Sequence, residues 1–258
     1  MINKRLLKNA RLDYSNVSQN ESYTFSRDHL LSIYSLDAVY TFIPKNACSS
    51  LRYSVGICNG YLKDIGDYHW IGLNNETFTA TQREVALANY TFVILRCPYT
   101  RIASCFLDKV VDKKIEFHDE EGNIISLNFN EFLTYIRSQD RSEMNAHWRN
   151  QSDFLHYERY DDYFSLELFS QAIDTLSDHG FKVHDTRSEA KHYISSLNSI
   201  DGAFSKIKSD EIVKMKDEGK VPNYKSMYSN DEIKLVNDIY KDDINLYKNH
   251  FGKDNLLF

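Results

Sequence analysis

Two short segments carry cations and hydroxyls in a spacing that can hold an anion at both ends. Residues 42–51 are Phe-Ile-Pro-Lys-Asn-Ala-Cys-Ser-Ser-Leu, and residues 92–104 are Phe-Val-Ile-Leu-Arg-Cys-Pro-Tyr-Thr-Arg-Ile-Ala-Ser. Each begins with an apolar run typical of a buried strand, breaks at a proline and continues with helical spacing. Lys45 lies at the first break and Arg96 at the second, so the two units predict a two-ended anion site.

The first segment has the parts of a phosphate cradle. Residues 37–43 are β-branched and aromatic, which predicts a central parallel strand that ends at Pro44, because proline has no N–H to donate. Ser49 and Ser50 are of N-cap type, and the N–H groups at a helix start carry partial positive charge, to which Lys45 adds a full charge. The glycine-rich Walker pattern is absent from the sequence.

The second segment repeats this design with an arginine. Residues 86–95 end in a strand-like run, which places Arg96 at the carboxyl end of a strand, where ligands gather in open α/β sheets. Pro98 suits a first helical turn, and Ser104 falls about two turns into the following helix. The segment therefore predicts a second anion contact at Arg96, whose guanidinium can bind a phosphate through two parallel hydrogen bonds.

These segments resemble the cofactor motifs of the sulfotransferases. Residues 44–51 resemble the 5′-phosphosulfate loop, and residues 96–104 resemble the 3′-phosphate motif, with its Arg and Ser eight positions apart. Residues 145–152, Asn-Ala-His-Trp-Arg-Asn-Gln-Ser, look like the His-Trp-x-Pro-Gln stretch of the Golgi-type carbohydrate sulfotransferases, with Asn150 where that family usually has proline. Residues 239–247 are similar to the closing helix of the family. The resemblance covers residues 36–251 and indicates a bacterial, family-2-like member.

The resemblance implies a fold as well as an activity. It implies the P-loop NTPase-like sulfotransferase fold of the α/β class, with a central parallel sheet flanked by helices on both faces. We expect one domain over residues 1–258, with an N-terminal arm at 1–35, a cofactor-binding core at 36–110 and a flap over the cofactor at 185–230.

The implied activity is transfer of the sulfuryl group of 3′-phosphoadenosine-5′-phosphosulfate to a hydroxyl of a carbohydrate or glycolipid, with adenosine 3′,5′-bisphosphate as the product. Lys45 would stabilise the leaving 5′-phosphate, so no metal ion is expected. The expected cofactor-binding residues are Pro44, Lys45, Asn46, Ala47, Cys48, Ser49 and Ser50 at the 5′ end, and Arg96 and Ser104 at the 3′-phosphate.

An acceptor hydroxyl also needs a general base, and two histidines compete for that role. His69 lies between the two cofactor motifs, in a position similar to that of a histidine in uronyl-type sulfotransferases. His147 lies in the His-Trp stretch, near which relatives bind the acceptor. Asp67 and Glu167 are further alternatives, because some sulfotransferases use a carboxylate.

Composition limits the partners and the compartment. The net charge of −6 argues against nucleic acid as the main partner. Four cysteines without metal-ligand spacing are expected to be reduced thiols. No run of about eighteen apolar residues occurs, so we expect no transmembrane anchor and a cytoplasmic protein that can lie peripheral to the inner membrane.

Two other classes remain open at this stage. A P-loop kinase or nucleotide hydrolase requires a glycine-rich loop and depends on a metal, and a noncatalytic module would bind nucleotide or glycan without turnover. Taken singly, Lys45 could be a solvated lysine at a strand exit, and Arg96 could belong to a surface ion pair. The sequence leaves open the acceptor sugar, the position sulfated and the oligomeric state.

Overall fold

The computed structural model describes residues 5–10, 16–74, 76–186 and 197–258. The strands in these residues are β1 (Leu30–Ile33), β2 (Ala38–Thr41), β3 (Tyr90–Leu95), β4 (Phe117–His118), β5 (Ile124–Ile125), β6 (Asp162–Ser165), β7 (Asn198–Ile200) and β8 (Lys220–Pro222). The α-helices are α1 (Glu21–Arg27), α2 (Cys48–Cys58), α3 (Trp70–Leu73), α4 (Gln82–Leu87), α5 (Pro98–Cys105), α6 (Phe129–Ser138), α7 (Gln151–Phe154), α8 (Phe169–Asp178), α9 (Ser209–Asp217), α10 (Asn230–Ile239) and α11 (Lys241–Phe251).

The chain divides into two units. The first comprises Met1–Arg96 and Asn150–Ala190, and the second comprises Cys97–Arg149 and Lys191–Phe258. The first unit holds a four-stranded sheet in the order β1-β2-β3-β6. Strand β3 is parallel to both of its neighbours, so the chain leaves β2 and β3 at the same edge of the sheet.

The predicted α/β class is confirmed, with one change to the sheet. We expected a parallel sheet, but β1 pairs antiparallel with β2, with Leu30 opposite Thr41 and Ile33 opposite Ala38. Strand β1 lies inside the segment expected to be an arm. A short connection through Asp37, whose φ is +47°, turns the chain back on itself, which a parallel crossover cannot do.

Aromatic strand residues make the core of the first unit. Tyr40 and Phe92 stack with ring centroids 5.0 Å apart, and both are fully buried. Leu51 of α2 and Leu176 of α8 pack into the same cluster, so these two helices cover one face of the sheet. Helix α2, which begins at Cys48 inside the first motif, therefore packs on the sheet face that carries Tyr40.

The second unit is built from helices around packed rings. Phe106 lies in a π-helical segment, Phe106–Val110, that continues α5, and its ring contacts Phe129 and Phe132 at 5.4 and 5.6 Å. Helix α6 begins with a capping box in which Glu131 N–H donates to Asn128 Oδ1 at 2.9 Å. The sequence predicts a capped helix over residues 128–136 with Asn130 before Glu131; α6 confirms the helix, but its N-cap is Asn128.

One expectation for the second unit needs correction. The sequence predicts one long helix over residues 231–251, but the helix ends at Ile239 and restarts at Lys241. Between them, Tyr240 leaves helical geometry with φ −112° and ψ 29°, and its buried hydroxyl donates to the Trp148 carbonyl at 2.6 Å. Part of the expected flap, 187–196, lies outside the described residues, whereas 197–230 contain β7, α9 and β8.

The cysteines and the lengths of the helices can be compared with the expectations from composition. The four cysteines, which all fall within the described residues, carry no disulfide. Across the described ranges, no helix combines the length and apolar character needed to cross a membrane.

A buried histidine ties the stability of the first unit to pH. His156 is 1% exposed, and burial, followed by the charge of Arg27, lowers its pKa to about 4. Because the unfolded chain binds a proton near pH 6.5, the free energy of unfolding should fall from pH 6.5 towards pH 4, by about 3 kcal/mol in all. Urea titrations across this pH range measure the loss.

A variant at this position separates the histidine from other acid effects. Ser26 Oγ lies 2.9 Å from His156 Nδ1, and a glutamine can keep a hydrogen bond there without titrating. We expect His156→Gln to flatten the pH dependence below pH 6.5, whereas substitution of the exposed His118 by glutamine should leave it unchanged. Equal slopes in all three proteins would contradict the assignment.

Candidate functional site

The turn after β2 holds two residues in the left-handed region of the backbone. Lys45 has φ +73° and Ala47 has φ +57°. An L-residue pays about 1–2 kcal/mol for this conformation, and glycine avoids that cost. A lysine kept at a strained position points to a role for its side chain, because such strain concentrates at functional sites.

Helix α2 begins directly after this turn with an uncapped end. Its N-cap is Ala47, which makes no side-chain capping hydrogen bond. The first N–H groups of a helix, here those of Cys48, Ser49 and Ser50, have no partner inside the helix and carry partial positive charge. With Lys45 two residues before the N-cap, the turn has donors and a full charge suited to an anion such as a phosphate.

Arg96, the first residue of the second motif, lies in the same unit as the first motif. Arg96 follows β3, which is parallel to β2, so both turns leave the sheet at one edge. The Arg96 guanidinium donates from Nη1 to the Lys45 carbonyl oxygen at 2.8 Å. The arginine therefore supports the strained turn and adds a second cation beside it.

A buried glutamine holds the two motifs in place. Gln151 Oε1 accepts hydrogen bonds from Asn46 Nδ2 at 2.6 Å and from the Arg96 backbone N–H at 3.0 Å. Its Nε2 donates to the Arg96 carbonyl oxygen at 2.8 Å. Gln151 is 1% exposed and Asn46 is fully buried, so these bonds are shielded from water. Sequence reasoning missed this role, although Gln151 is the glutamine of the His-Trp stretch.

The other predicted residues of the turn have different surroundings. The Asn46 side chain faces inward and also donates to the Ile94 carbonyl at 2.8 Å, and its backbone N–H donates to Ile43. Asn46 thus stabilises the turn. The N–H groups that suit an anion are therefore those at the start of α2. Ser49 is exposed, and Ser50 Oγ lies 2.9 Å from Thr186 Oγ1. Pro44 is buried, and Cys48 is a half-buried thiol.

The departure from the family pattern at position 150 preserves the local backbone. Asn150 has φ −55°, close to the value that a proline ring imposes, and it is the N-cap of α7. The chain therefore enters the helix that carries Gln151 with the geometry a proline would provide. The substitution leaves the position of Gln151 intact.

The remaining predicted residues belong to the second unit and are described within it. Ser104 lies on α5 and is 6% exposed. Arg101, from the same motif, is 2% exposed and donates to the carbonyls of Arg149 at 2.8 Å and Ala146 at 3.4 Å. Arg101 therefore holds the turn that contains His147.

The two candidate bases differ in how their rings are held. Asn145 Oδ1 accepts from the backbone N–H of His147 at 3.0 Å and lies 2.8 Å from His147 Nδ1. An amide oxygen carries no proton, so Nδ1 donates and Nε2 has the lone pair in the neutral ring. His69 is exposed at the end of a 3₁₀ turn in the first unit, where its ring contacts Tyr68 at 5.8 Å.

One carboxylate alternative already has a structural role. Asp67 Oδ2 accepts from the backbone N–H of Lys63 at 2.8 Å and belongs to the capping box of the same 3₁₀ turn. Glu167, the other alternative, lies in a short 3₁₀ turn after β6, with Oε2 3.2 Å from Ser165 Oγ. Of the two candidate histidines, His147 is the one whose ring is oriented by a side-chain hydrogen bond.

Comparison with known proteins identifies the family of this chain. The family model described as the sulfotransferase family matches residues 28–250, and the chain therefore belongs to the sulfotransferase family. No curated protein and no solved structure matches significantly. The matched range includes the strained turn, Arg96 and Gln151.

Proposed function

We propose that the protein transfers a sulfuryl group from 3′-phosphoadenosine-5′-phosphosulfate to a hydroxyl of a carbohydrate or glycolipid. Membership of the sulfotransferase family supports sulfuryl transfer in general. The donor assignment rests on the strained turn at Lys45. Arg96 donates a hydrogen bond to this turn, and the N-terminus of α2, which has no side-chain cap, follows it directly. The similarity of residues 145–152 to the carbohydrate enzymes supports the acceptor class.

Each group of the first unit has a defined part in this proposal. In an in-line displacement, the bond from sulfur to the 5′-phosphate oxygen breaks as the acceptor oxygen bonds to sulfur. Lys45 and the N–H groups of Cys48, Ser49 and Ser50 would stabilise the charge that develops on the leaving phosphate. Gln151 would keep these groups in place before the donor arrives.

The 3′-phosphate of the donor is assigned to Arg96, and the contact expected from Ser104 stays a prediction of the family resemblance. A guanidinium has five N–H donors in a fixed planar fork, a geometry that suits two parallel hydrogen bonds to a phosphate. This contact would distinguish the donor from adenine nucleotides that lack a 3′-phosphate.

Calorimetry with adenosine 3′,5′-bisphosphate and with AMP tests the donor assignment. We expect micromolar binding of the bisphosphate in the presence of a metal chelator, and at least tenfold weaker binding of AMP. Arg96→Ala should weaken bisphosphate binding by about 10- to 100-fold, equivalent to about 1.4–2.8 kcal/mol, with little effect on AMP. Binding of the two nucleotides with equal affinity would refute the 3′-phosphate contact.

The matched control is an exposed arginine of the same unit. Arg83 lies on α4 at the surface, and Arg83→Ala should leave both affinities unchanged. A dependence of binding on Mg²⁺ would instead favour a nucleotide kinase or hydrolase.

For the general base we propose His147, whose Nε2 would take the proton of the acceptor hydroxyl. Release of adenosine 3′,5′-bisphosphate in the presence of oligosaccharide acceptors measures turnover. We expect His147→Ala to lower kcat by about 100-fold or more. Asn145→Ala should lower kcat less, because the imidazole remains and loses only the hydrogen bond that fixes its tautomer. His69→Ala is the comparison: a larger loss there than in His147→Ala would make His69 the base.

A further inference from the structure

A segment without helix or strand structure, residues 181–186, lies along helix α2 in the first unit. The backbone N–H of His184 donates to Ser54 Oγ at 2.8 Å, and the backbone N–H of Thr186 donates to Ser50 Oγ at 3.4 Å. Ser50 and Ser54 are four positions apart, so they lie on the same face of the helix. The segment therefore runs towards the start of α2 and brings Thr186 beside Ser50.

Ser54 anchors this segment to the helix. Its hydroxyl oxygen accepts from the His184 N–H, and its proton is donated to the Ser50 carbonyl oxygen at 2.7 Å. Ser54 is fully buried, so water does not compete for these bonds. The anchor fixes the position of Thr186, two residues further along the segment, relative to the first turn of α2.

Two hydroxyls meet at the end of the segment and share one contact. Thr186 Oγ1 lies 2.9 Å from Ser50 Oγ, which is within hydrogen-bond distance. Each hydroxyl has one proton, and a single hydrogen bond between them uses one of the two. The second proton has no acceptor among the residues that the structure describes.

Burial determines which of the two protons is left over. Thr186 is 2% exposed, whereas Ser50 is half-buried. If Ser50 donated to Thr186, the Thr186 proton would be buried without an acceptor, which is unfavourable. Donation from Thr186 to Ser50 avoids this cost and agrees with the Thr186 N–H, which also donates to Ser50 Oγ. The Ser50 proton is then available to an acceptor outside the chain.

The position of Ser50 indicates what that acceptor is. Ser50 is the third residue of α2, and its N–H is one of those that the proposed function assigns to the leaving 5′-phosphate. The neighbouring Ser49 is exposed, and no described residue orients its hydroxyl. We propose that Thr186 is a positioning residue for donor binding, which holds the Ser50 hydroxyl as a hydrogen-bond donor to the 5′-phosphate. This inference rests on the proposed function.

Three nucleotides and two variants of Thr186 test the inference by calorimetry. Adenosine 3′,5′-bisphosphate and AMP carry a 5′-phosphate, whereas adenosine 3′-monophosphate carries the 3′-phosphate alone. Thr186→Val removes the hydroxyl and keeps the shape of the side chain, so we expect it to weaken the bisphosphate and AMP by about fivefold or more. Its affinity for the 3′-monophosphate should equal that of the wild type. Thr186→Ser retains the hydroxyl and should restore the binding of all three nucleotides.

Ser50→Ala separates an action through Ser50 from a structural role of Thr186. By itself, this variant should weaken the bisphosphate at least as much as Thr186→Val, because it removes the hydroxyl that donates. In the Ser50→Ala protein, Thr186→Val should cause no further loss, since the group that Thr186 orients is absent. Thr77→Val, at an exposed threonine of the same unit, is the matched control and should leave all affinities unchanged.

The titrations distinguish a failure of this inference from a failure of the proposed function. A wild-type protein that binds no bisphosphate would refute both. If the wild type binds the bisphosphate, wild-type affinity in Thr186→Val would overturn the inference alone. The same conclusion would follow from an equal loss of affinity for the 3′-monophosphate, or from a loss that persists in the Ser50→Ala protein.

Discussion

Replacing Lys45 with alanine should lower the rate of sulfuryl transfer by about 100- to 1,000-fold while the protein keeps its fold. The expected loss is that of a preorganised cation which stabilises charge in the transition state. Alanine has a Cβ, as lysine does, so the strain at φ +73° is unchanged and the variant reports on the charge. The backbone carbonyl that accepts from Arg96 also remains.

A second substitution at the same position separates activity from stability. Lys45→Gly removes the left-handed strain, so we expect the free energy of unfolding to rise by about 1 kcal/mol while the transfer rate falls as in Lys45→Ala. Turnover assays measure the transfer rate of both variants, and urea titrations measure their free energies of unfolding. Lys63→Ala, at an exposed lysine of the same unit, is the control for loss of charge. Transfer at the wild-type rate in Lys45→Ala would contradict the assignment of Lys45 to the site.

Gln151→Leu should be the most destabilising substitution near the site. It leaves the N–H and the carbonyl of Arg96 without their buried partner and removes an acceptor from Asn46. Each unpaired buried polar group costs about 1–3 kcal/mol, so we expect the free energy of unfolding to fall by about 3 kcal/mol or more. Urea titration measures the stability, and bisphosphate calorimetry should show weakened donor binding, because the two motifs lose their shared anchor.

The control for Gln151 is a glutamine of the same unit that faces solvent. Gln171 is exposed on α8, and Gln171→Leu should change the free energy of unfolding by no more than about 0.5 kcal/mol. Similar stability of the two leucine variants would show that the hydrogen bonds of Gln151 contribute little.

Local signals in the sequence predicted the elements that carry the site. Pro98 at the start of α5 acts within one helical turn, and so does the capping box of α6, although the sequence pattern indicated Asn130 rather than Asn128 as the cap. The types and spacing of Lys45 and Arg96 likewise predicted a two-ended anion site. The resemblance of the motifs implied the sulfotransferase family, and the family match confirms that membership.

Longer helical patterns were less reliable, because packing can override them. The apolar spacing of residues 231–251 continues through Tyr240, yet the helix breaks there. The buried Tyr240 hydroxyl donates to a carbonyl 92 positions away, at Trp148. A contact of that separation leaves no trace in the local pattern, so the break was not predictable from it.

Tertiary structure decided how the site is assembled. By itself, the sequence determined the family and predicted which residues could bind an anion and which helices follow them, because charge and capping are properties of neighbouring residues. Only the fold placed Arg96 on the Lys45 carbonyl and Gln151 between them. These bonds depend on the parallel pairing of β2 with β3 and on α7, more than 50 positions further along the chain, and such non-local pairing arises only when the whole sheet forms.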